Sequence, residues 1–491
     1  MTEVGAINPI DRQIYRELPP RFFAEATPTA FPAPTLIELN RKLLDDYGIS
    51  SDWFETSDAP GILTGQSFNP KNPPVALAYS GHQFGNWVPL LGDGRALMLG
   101  QLSTRARQSI DVQLKGSGAT RYSRGGDGRA TLGSVLREYL VSEAMAALGI
   151  PTSRSLAVLT TGESVRRERR RPGAVLVRAA TSHIRVGTFQ HAATNLGPDA
   201  VKALADHVIG HHFPDVTGRP DVYLELLRVV IARQATLIAR WMLVGFIHGV
   251  MNTDNMSVVG ETIDYGPCAL MDEFAAAKVF SSIDRHGRYA WNQQPAIAHW
   301  NLTRFAETLL PLIDPRENRA VELAKECLTM FEPQFTSRFF EGLRAKLGLA
   351  TRSDATDEFS DATLRMLEQQ SADFTQFFDR LTKLAAGAPE SPLLDIVEAR
   401  APLEQWLEQW QALRRADPLD LAQMRAANPM LIARNHRVEQ AIDAAESGAD
   451  YSLFRRLAQA LTTPFDVLPA NADLLTPPRL DERVQETFCG T

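Results

Sequence analysis

The sequence predicts an α+β protein whose first part is rich in strands and whose second part is helical. Three observations carry this prediction. Short alternating apolar runs punctuated by glycine turns occupy residues from about 75 to 188. One strong amphipathic pattern, Leu132 to Leu148, stands inside that region and is closed by Gly149. Helical periodicity then dominates from about 199 to 461, before proline-rich tails.

Taken in order, residues 1–75 form an irregular, proline-rich extension with one helix expected over Thr35 to Tyr47, where Leu36, Leu39, Leu43 and Leu44 recur. Residues 76–198 are expected to be a nucleotide-binding region. There Ala96-Leu-Met-Leu-Gly, Asp111-Val-Gln-Leu-Lys and Ala174-Val-Leu-Val-Arg read as strands. Residues 199–400 form a helical lobe, and residues 401–491 a helical extension and tail. No internal repeat is visible.

Bulk properties exclude several classes. The formal net charge of −7 gives no global attraction for nucleic acid or an anionic membrane, so neither is an expected partner. Three scattered cysteines are too few for a disulfide framework or a zinc cluster. The N-terminus lacks the basic start and apolar stretch of a signal peptide. The most apolar segment, 222–250, carries Glu225, Arg228, Arg233 and Arg240, which fits a buried helix rather than a membrane span. A cytoplasmic protein is expected, and a monomeric one.

Five sites have the residue types for chemistry on phosphates. In Leu91-Gly-Asp-Gly-Arg-Ala, Asp93-Gly94 reads as a tight hairpin, while Gly92, Gly94 and Arg95 also suit a phosphate contact. Lys115 ends a strand, and Glu138 on the following helix is its natural restraint, the pair with which kinases position a triphosphate; an ordinary surface lysine is the plainer reading. Tyr122-Ser-Arg-Gly-Gly-Asp-Gly-Arg-Ala opens that helix, so Asp127 and Gly128 sit at an anion-favouring terminus or in a simple flexible loop. Arg178 and Arg185 lie in apolar surroundings and need an anion, either phosphate or a buried carboxylate. The run Arg166-Arg-Glu-Arg-Arg-Arg reads as a solvated hairpin tip. Two other features carry less: His207 and His211 fall at i, i+4 with no third ligand visible, and the tryptophans from Leu403 onward have packing spacing.

The fifth site is the most informative: His248-Gly-Val-Met-Asn-Thr-Asp-Asn255, followed by Ile263-Asp-Tyr-Gly266. An Asn and a later Asp-aromatic-Gly after a long apolar helix match the catalytic and metal loops of a protein-kinase-like, two-lobed fold, with a mixed-sheet first lobe and a helical second lobe. Asn255 and Asp264 supply the hard oxygens that Mg²⁺ or Mn²⁺ prefers. The departure is instructive. The place of the kinase base, five residues before the Asn, holds Val250, and the nearby carboxylate is Asp254. A pseudokinase, a displaced phosphotransfer site and a different use of the nucleotide all remain open at this point.

The long motifs Tyr79-Ser-Gly-His-Gln-Phe-Gly, Leu91-Gly-Asp-Gly-Arg-Ala, Gln113-Leu-Lys-Gly-Ser-Gly, Tyr122-Ser-Arg-Gly-Gly-Asp-Gly-Arg-Ala, Gly245-Phe-Ile-His-Gly-Val-Met-Asn-Thr-Asp-Asn and Asp264-Tyr-Gly-Pro resemble those of the selenoprotein O (SelO/YdiU) family of protein adenylyltransferases, over nearly the whole chain. The resemblance implies a pseudokinase fold that binds ATP reversed and moves AMP to Ser, Thr or Tyr hydroxyls of proteins, its own included, releasing pyrophosphate. It leaves UTP open as an alternative donor. It further implies that Gly92, Gly94 and Arg95 form the glycine-loop contact, and that Lys115, restrained by Glu138, holds phosphate. Asp127 and Gly128 would contact the nucleotide, Arg178 and Arg185 the phosphates, and Asn255 and Asp264 the Mg²⁺ or Mn²⁺. Asp254 would be the proton acceptor. Some family members carry a selenocysteine third from the C-terminus, where this chain has Cys489; Cys268 is the nearby candidate for pairing, and a free tail thiol is the expectation.

Overall fold

In the computed structural model, which describes residues 8–10, 12–70 and 72–488, the strand-forming runs assemble into an eight-stranded antiparallel sheet. Strands β1 (Phe23–Glu25), β2 (Thr35–Leu39) and β3 (Val75–Leu77) come from the N-terminal part, ahead of a separate hairpin made by β4 (Gly81–Gln83) and β5 (Asn86–Val88). Then β6 (Ala96–Ser103), β7 (Ser109–Lys115), β8 (Ala130–Thr131), β9 (Arg154–Arg166) and β10 (Arg170–Ala180) complete the sheet. The spatial order is β1-β3-β6-β7-β10-β9-β2, with β8 against β10.

The helix expected over Thr35 to Tyr47 is two elements. Its first half is strand β2, which pairs with β9 (Leu36 opposite Leu159, Leu39 opposite Ala157), and only Arg41–Tyr47 is helical, as α1. The leucine spacing fits either period in so short a run. The break is set by Asn40, whose side-chain oxygen accepts from the backbone N–H of Leu43 at 3.0 Å and starts the helix there.

Strand alternation gives the sheet two different faces. Val112, Leu114, Val175, Val177 and Ala179 pack under α1 and α2 (Ala59–Leu63), together with Trp53 and Phe54. The opposite face carries Met98, Gln113, Lys115, Leu176 and Arg178, since Gln113 lies opposite both Met98 and Arg178 in register. Against it lies α3 (Leu132–Ala147), whose Val135, Leu136 and Leu140 are buried and whose first turn is capped by Thr131. Such a helix supplies apolar cover and also brings Glu138 to the polar stripe of the sheet.

The helical part starts with α4 (Val186–His191), α5 (Pro198–His212) and the long α6 (Val222–Leu243), then continues from α7 (Gln294–Ile313) to α16 (Ser452–Ala460). Among the described residues no helix is long and apolar enough to cross a membrane. Between α6 and α7 runs an irregular stretch pinned by a two-stranded ladder of β11 (Phe246–Ile247) and β12 (Ala269–Leu270). It contains the His248–Asn255 and Asp264–Gly266 motifs. Cys268 in this stretch is fully buried as a free thiol, and burial pushes its ionisation up to about 12. Its suggested partner, Cys489, lies outside the described residues.

Late helices brace this arrangement from behind. In α15 (Asn435–Gly448), Glu439 pairs with Arg137 of α3, and Glu446 accepts from the Gly133 N–H and pairs with Arg171 of β10. Arg434, immediately before α15, is 1% exposed and joins Asp373 (2.8 and 3.2 Å) to Asp272, just past β12. Removing one member of a buried ionic group leaves the others uncompensated. Arg434→Ala is therefore expected to lower unfolding free energy by ~3–5 kcal/mol in urea titrations; a loss under ~1 kcal/mol would show that Arg434 is not a structural tie.

Candidate active site

The polar stripe of the sheet faces the loop segment after α6 across a cleft of about 600 Å³, a volume suited to a nucleotide-sized ligand. Gly92, Gly94, Arg95, Lys115, Asp127, Gly128, Arg178, Arg185, Asp254, Asn255 and Asp264 all line it. Glu138, the remaining predicted residue, stands behind Lys115, 1% exposed.

A closed ring of ionic contacts organises the floor. Glu138 accepts from Lys115 through one oxygen and from Arg178 Nε at 2.6 Å through the other. Arg178 reaches on to Asp264 Oδ1 at 2.9 Å and donates to Gln113 Oε1 at 3.1 Å. Asp264 Oδ2 takes Arg185 Nη1 at 2.6 Å, and the same nitrogen donates to the Asp254 carbonyl at 2.9 Å. Arg185 lies 3.8 Å from Asp93, whose other oxygen accepts from Gln113 at 3.0 Å and from the Leu77 N–H at 3.2 Å, closing the circuit. Tyr79 stacks under Arg185, 4.6 Å from its guanidinium.

Burial by itself would raise the Asp264 carboxyl. The guanidiniums of Arg185 and Arg178, helped by Lys115, overcome this and hold it well below the usual carboxylate range. Glu138 follows the same pattern, kept ionised by Arg178 and Lys115. Asp254 goes the other way: burial pushes it up to about 6 against the pull of Arg185. Of the four carboxylates lining the cleft, Asp93, Asp127 and Asp264 have ion-pair partners, while Asp254 has none among the described residues. Among the described residues its Oδ1 has no hydrogen-bond partner, and its Oδ2 accepts from Gln83 at 3.5 Å.

Two sequence expectations need correction. Asp93-Gly94 is not a hairpin. Asp93 is 2% exposed and is a structural acceptor in the ring, and positive φ occurs instead at Gly92 (φ 80°), where a Cβ would stand 2.4 Å from the Tyr122 ring. The real turn nearby is Phe84-Gly85, between β4 and β5. The arginine run is a hairpin tip between β9 and β10, but it is not all solvated: Arg167 grips Asp127 (2.8 and 3.1 Å) and the Arg129 carbonyl, fixing the glycine-rich loop at the cleft rim. Val250 lines the cleft with an apolar side chain and uses its carbonyl to accept from Asn255 Nδ2 at 2.9 Å.

Residues 11–462 match the family described as "Protein adenylyltransferase SelO". The chain belongs to the SelO family. It is 51% identical over 490 residues to "Protein nucleotidyltransferase YdiU" of Shewanella denitrificans, covering 97% of each chain. It is also 51% identical over 481 residues to the protein of that name from Rhodopseudomonas palustris strain BisB18, covering 97% of this chain and 98% of the relative. The Rhizobium leguminosarum relative of that name is 49% identical over 492 residues, covering 99% and 98%.

The role of the β4–β5 hairpin was missed in the sequence, although its residues lie in a SelO-like motif. The His82 N–H donates to Thr253 Oγ1 at 2.8 Å, and the Phe84 N–H to Asn252 Oδ1 at 2.9 Å, so the hairpin is bolted onto the loop that carries Asp254. Tyr289 OH also donates to Asn252 Oδ1, at 2.7 Å. From the other side α4 closes in: a Cβ on Gly187 would be 2.3 Å from the Ser80 carbonyl oxygen and 3.2 Å from the Asp254 Cα. No local pattern marks these contacts, because Gly81–Gln83 and the 252–254 loop are far apart in sequence. A polar run such as Ser-Gly-His-Gln looks like any surface turn.

Asp254 yields a pH prediction for the metal-free protein. A carboxyl that holds its proton more tightly in the folded than in the unfolded chain favours folding at low pH. That contribution is lost as pH rises from 3.8 through about 6. The D254N variant, neutral throughout, is expected to exceed the parent in stability by about 1 kcal/mol near pH 4.5 and by about 3 kcal/mol near pH 7.5. A gap independent of pH in urea titrations would contradict the raised carboxyl.

Proposed function

We propose that this protein transfers AMP from ATP to hydroxyl groups of proteins, with Asp254 accepting the hydroxyl proton. The observation that carries the reading is the pairing of Val250 with Asp254. The kinase base position is apolar, and the cleft carboxylate without an ion-pair partner is Asp254, poised near neutrality where a general base works best. A two-lobed, kinase-like arrangement goes with this reading, supported by Lys115 on the sheet paired to Glu138 on α3. So does a cytoplasmic site of action.

The donor set in the cleft fits a hard divalent cation. Asn255 is anchored through its amide nitrogen, which leaves its carbonyl oxygen for other partners, and Asp264 has lone pairs beyond those its arginines use. Asn255 and Asp264 would hold Mg²⁺ or Mn²⁺, which would neutralise charge on the phosphates. Arg178 and Arg185 offer the rest of that neutralisation, and Arg185 Nε has no hydrogen-bond acceptor among the described residues. Gly92, Gly94, Arg95, Asp127 and Gly128 would border the nucleotide. The acceptor oxygen forms its bond to the α-phosphorus as the bond to the β-phosphate oxygen breaks. Pyrophosphate leaves, and the proton passes to Asp254, which Gln83 and the β4–β5 hairpin hold in place.

The decisive measurement supplies the enzyme and bacterial lysate proteins with ATP labelled at either the α- or the γ-phosphate, and with labelled UTP in parallel. Label is expected on protein from the α-position only, and it should fall by about 10²-fold or more in D254N, the usual size of a general-base contribution. Asp264→Ala should lose transfer and divalent-cation binding together. Transfer of the γ-label alone would mean ordinary phosphotransfer and would overturn the reading.

A further inference from the structure

The i, i+4 pair His207 and His211 showed no third ligand in the sequence, and the structure supplies one. Glu17 closes the 3-10 turn Ile14–Glu17, far away in the chain, and its Oε2 lies 3.0 Å from His211 Nε2. One ligand atom from each of Glu17, His207 and His211 lies within 4.8 Å of the others. Bonds of about 2.1 Å at tetrahedral angles put ligand atoms roughly 3.4 Å apart, so small side-chain rotations bring this triad to a common centre. We propose that Glu17, His207 and His211 form a second cation site, separate from the cleft, for a borderline transition metal of the Zn²⁺ type.

The ligand chemistry selects the metal. Two imidazoles and one carboxylate suit Zn²⁺, Co²⁺ or Ni²⁺, whereas Mg²⁺ and Ca²⁺ prefer all-oxygen shells. Both histidines lie on one face of α5, one turn apart, and their rings are 4.5 Å apart. Tyr15, 2% exposed, sets its ring edge-on against His207 and limits how that imidazole can turn. The competing cation is Arg12, which pairs with Glu17 through the other carboxylate oxygen, Oε1, and leaves Oε2 facing the histidines. Glu17 and His211 are both exposed, which leaves the fourth position to water.

Such a site acts as a clamp. The Ile14–Glu17 turn is already fastened to the sheet: Gln13 donates to the Leu99 carbonyl at 2.8 Å, and the Ile14 N–H donates to Gln101 Oε1 at 2.8 Å. A metal bridging Glu17 to α5 ties the N-terminal segment, β6 and the first long helix of the helical part into one unit.

The test uses the full chain, stripped with a chelator and held in excess Mg²⁺ to fill oxygen-rich sites. Co²⁺ is titrated while its visible ligand-field absorption is followed. One equivalent with imidazole-type absorption, displaced by Zn²⁺, is expected, and affinity should fall by about tenfold or more in His211→Ala and in Glu17→Gln. Zn²⁺ should raise the thermal midpoint of the parent and not of these two exposed-site variants, whose metal-free melts should match the parent's. No Co²⁺ absorption, or equal Co²⁺ affinity in parent and variants, would overturn the proposal.

Discussion

Everything in the cleft depends on one buried ionic circuit, Lys115–Glu138–Arg178–Asp264–Arg185–Asp93, closed through Gln113. Removing these charges from water carries a heavy desolvation cost, and the arrangement stands only because each charge meets an opposite one with good geometry. The cations come from strands β7 and β10 and from the residue before α4. The anions come from α3, from the loop before β6, and from the segment after α6. No single element could satisfy the circuit by itself, so it fixes how sheet and helical part dock and leaves little freedom to the residues between them.

The same circuit explains why Asp254 differs from its neighbours. Arg185 uses Nη1 on both the Asp264 carboxylate and the Asp254 backbone carbonyl, so the loop is positioned by its main chain. The Asp254 side chain is consequently buried with no salt bridge among the described residues, and burial raises its affinity for a proton. A carboxylate locked to an arginine, as Asp264 is, makes a poor base because its charge is already stabilised. Two aspartates ten residues apart in the loop segment thus sit in opposite electrostatic settings, Asp264 held ionised by arginines and Asp254 raised by burial.

Most of the site was legible because its parts are local. A lysine at a strand end, a glycine-rich stretch opening a helix, and an Asn followed by Asp-Tyr-Gly are short motifs that can be located from residue type and order alone, and the fold brings them to one cleft. Strands β6, β7 and β10 and helix α3 were legible for the same reason, since period and capping act within a few residues. What escaped was set by long-range contact. Asp93 looked like half of a turn because its buried partners, Gln113 and Leu77, are distant in sequence. Thr35–Leu39 looked helical because five residues cannot separate the two periods, and pairing with β9 decided the outcome. Glu17 could not be joined to His211 without the fold, which brings together residues 194 positions apart.

The charge balance of the circuit also bears on how a nucleotide would be received. In this structure Arg178 and Arg185 already face carboxylates, so the floor is close to neutral and a bare polyphosphate would meet Asp264 as well as the two arginines. Repulsion from Asp264 falls if the phosphates arrive with a divalent cation, because that cation is attracted to the carboxylate that the phosphates avoid. Nucleotide and cation affinity would then reinforce each other, and reciprocity requires the coupling to be equal in both directions. A site with the arginines alone would bind free nucleotide more indiscriminately. On the proposed function, Asp264 between the two arginines would make the metal complex the favoured ligand, while the backbone contact through Arg185 holds the Asp254 loop in place.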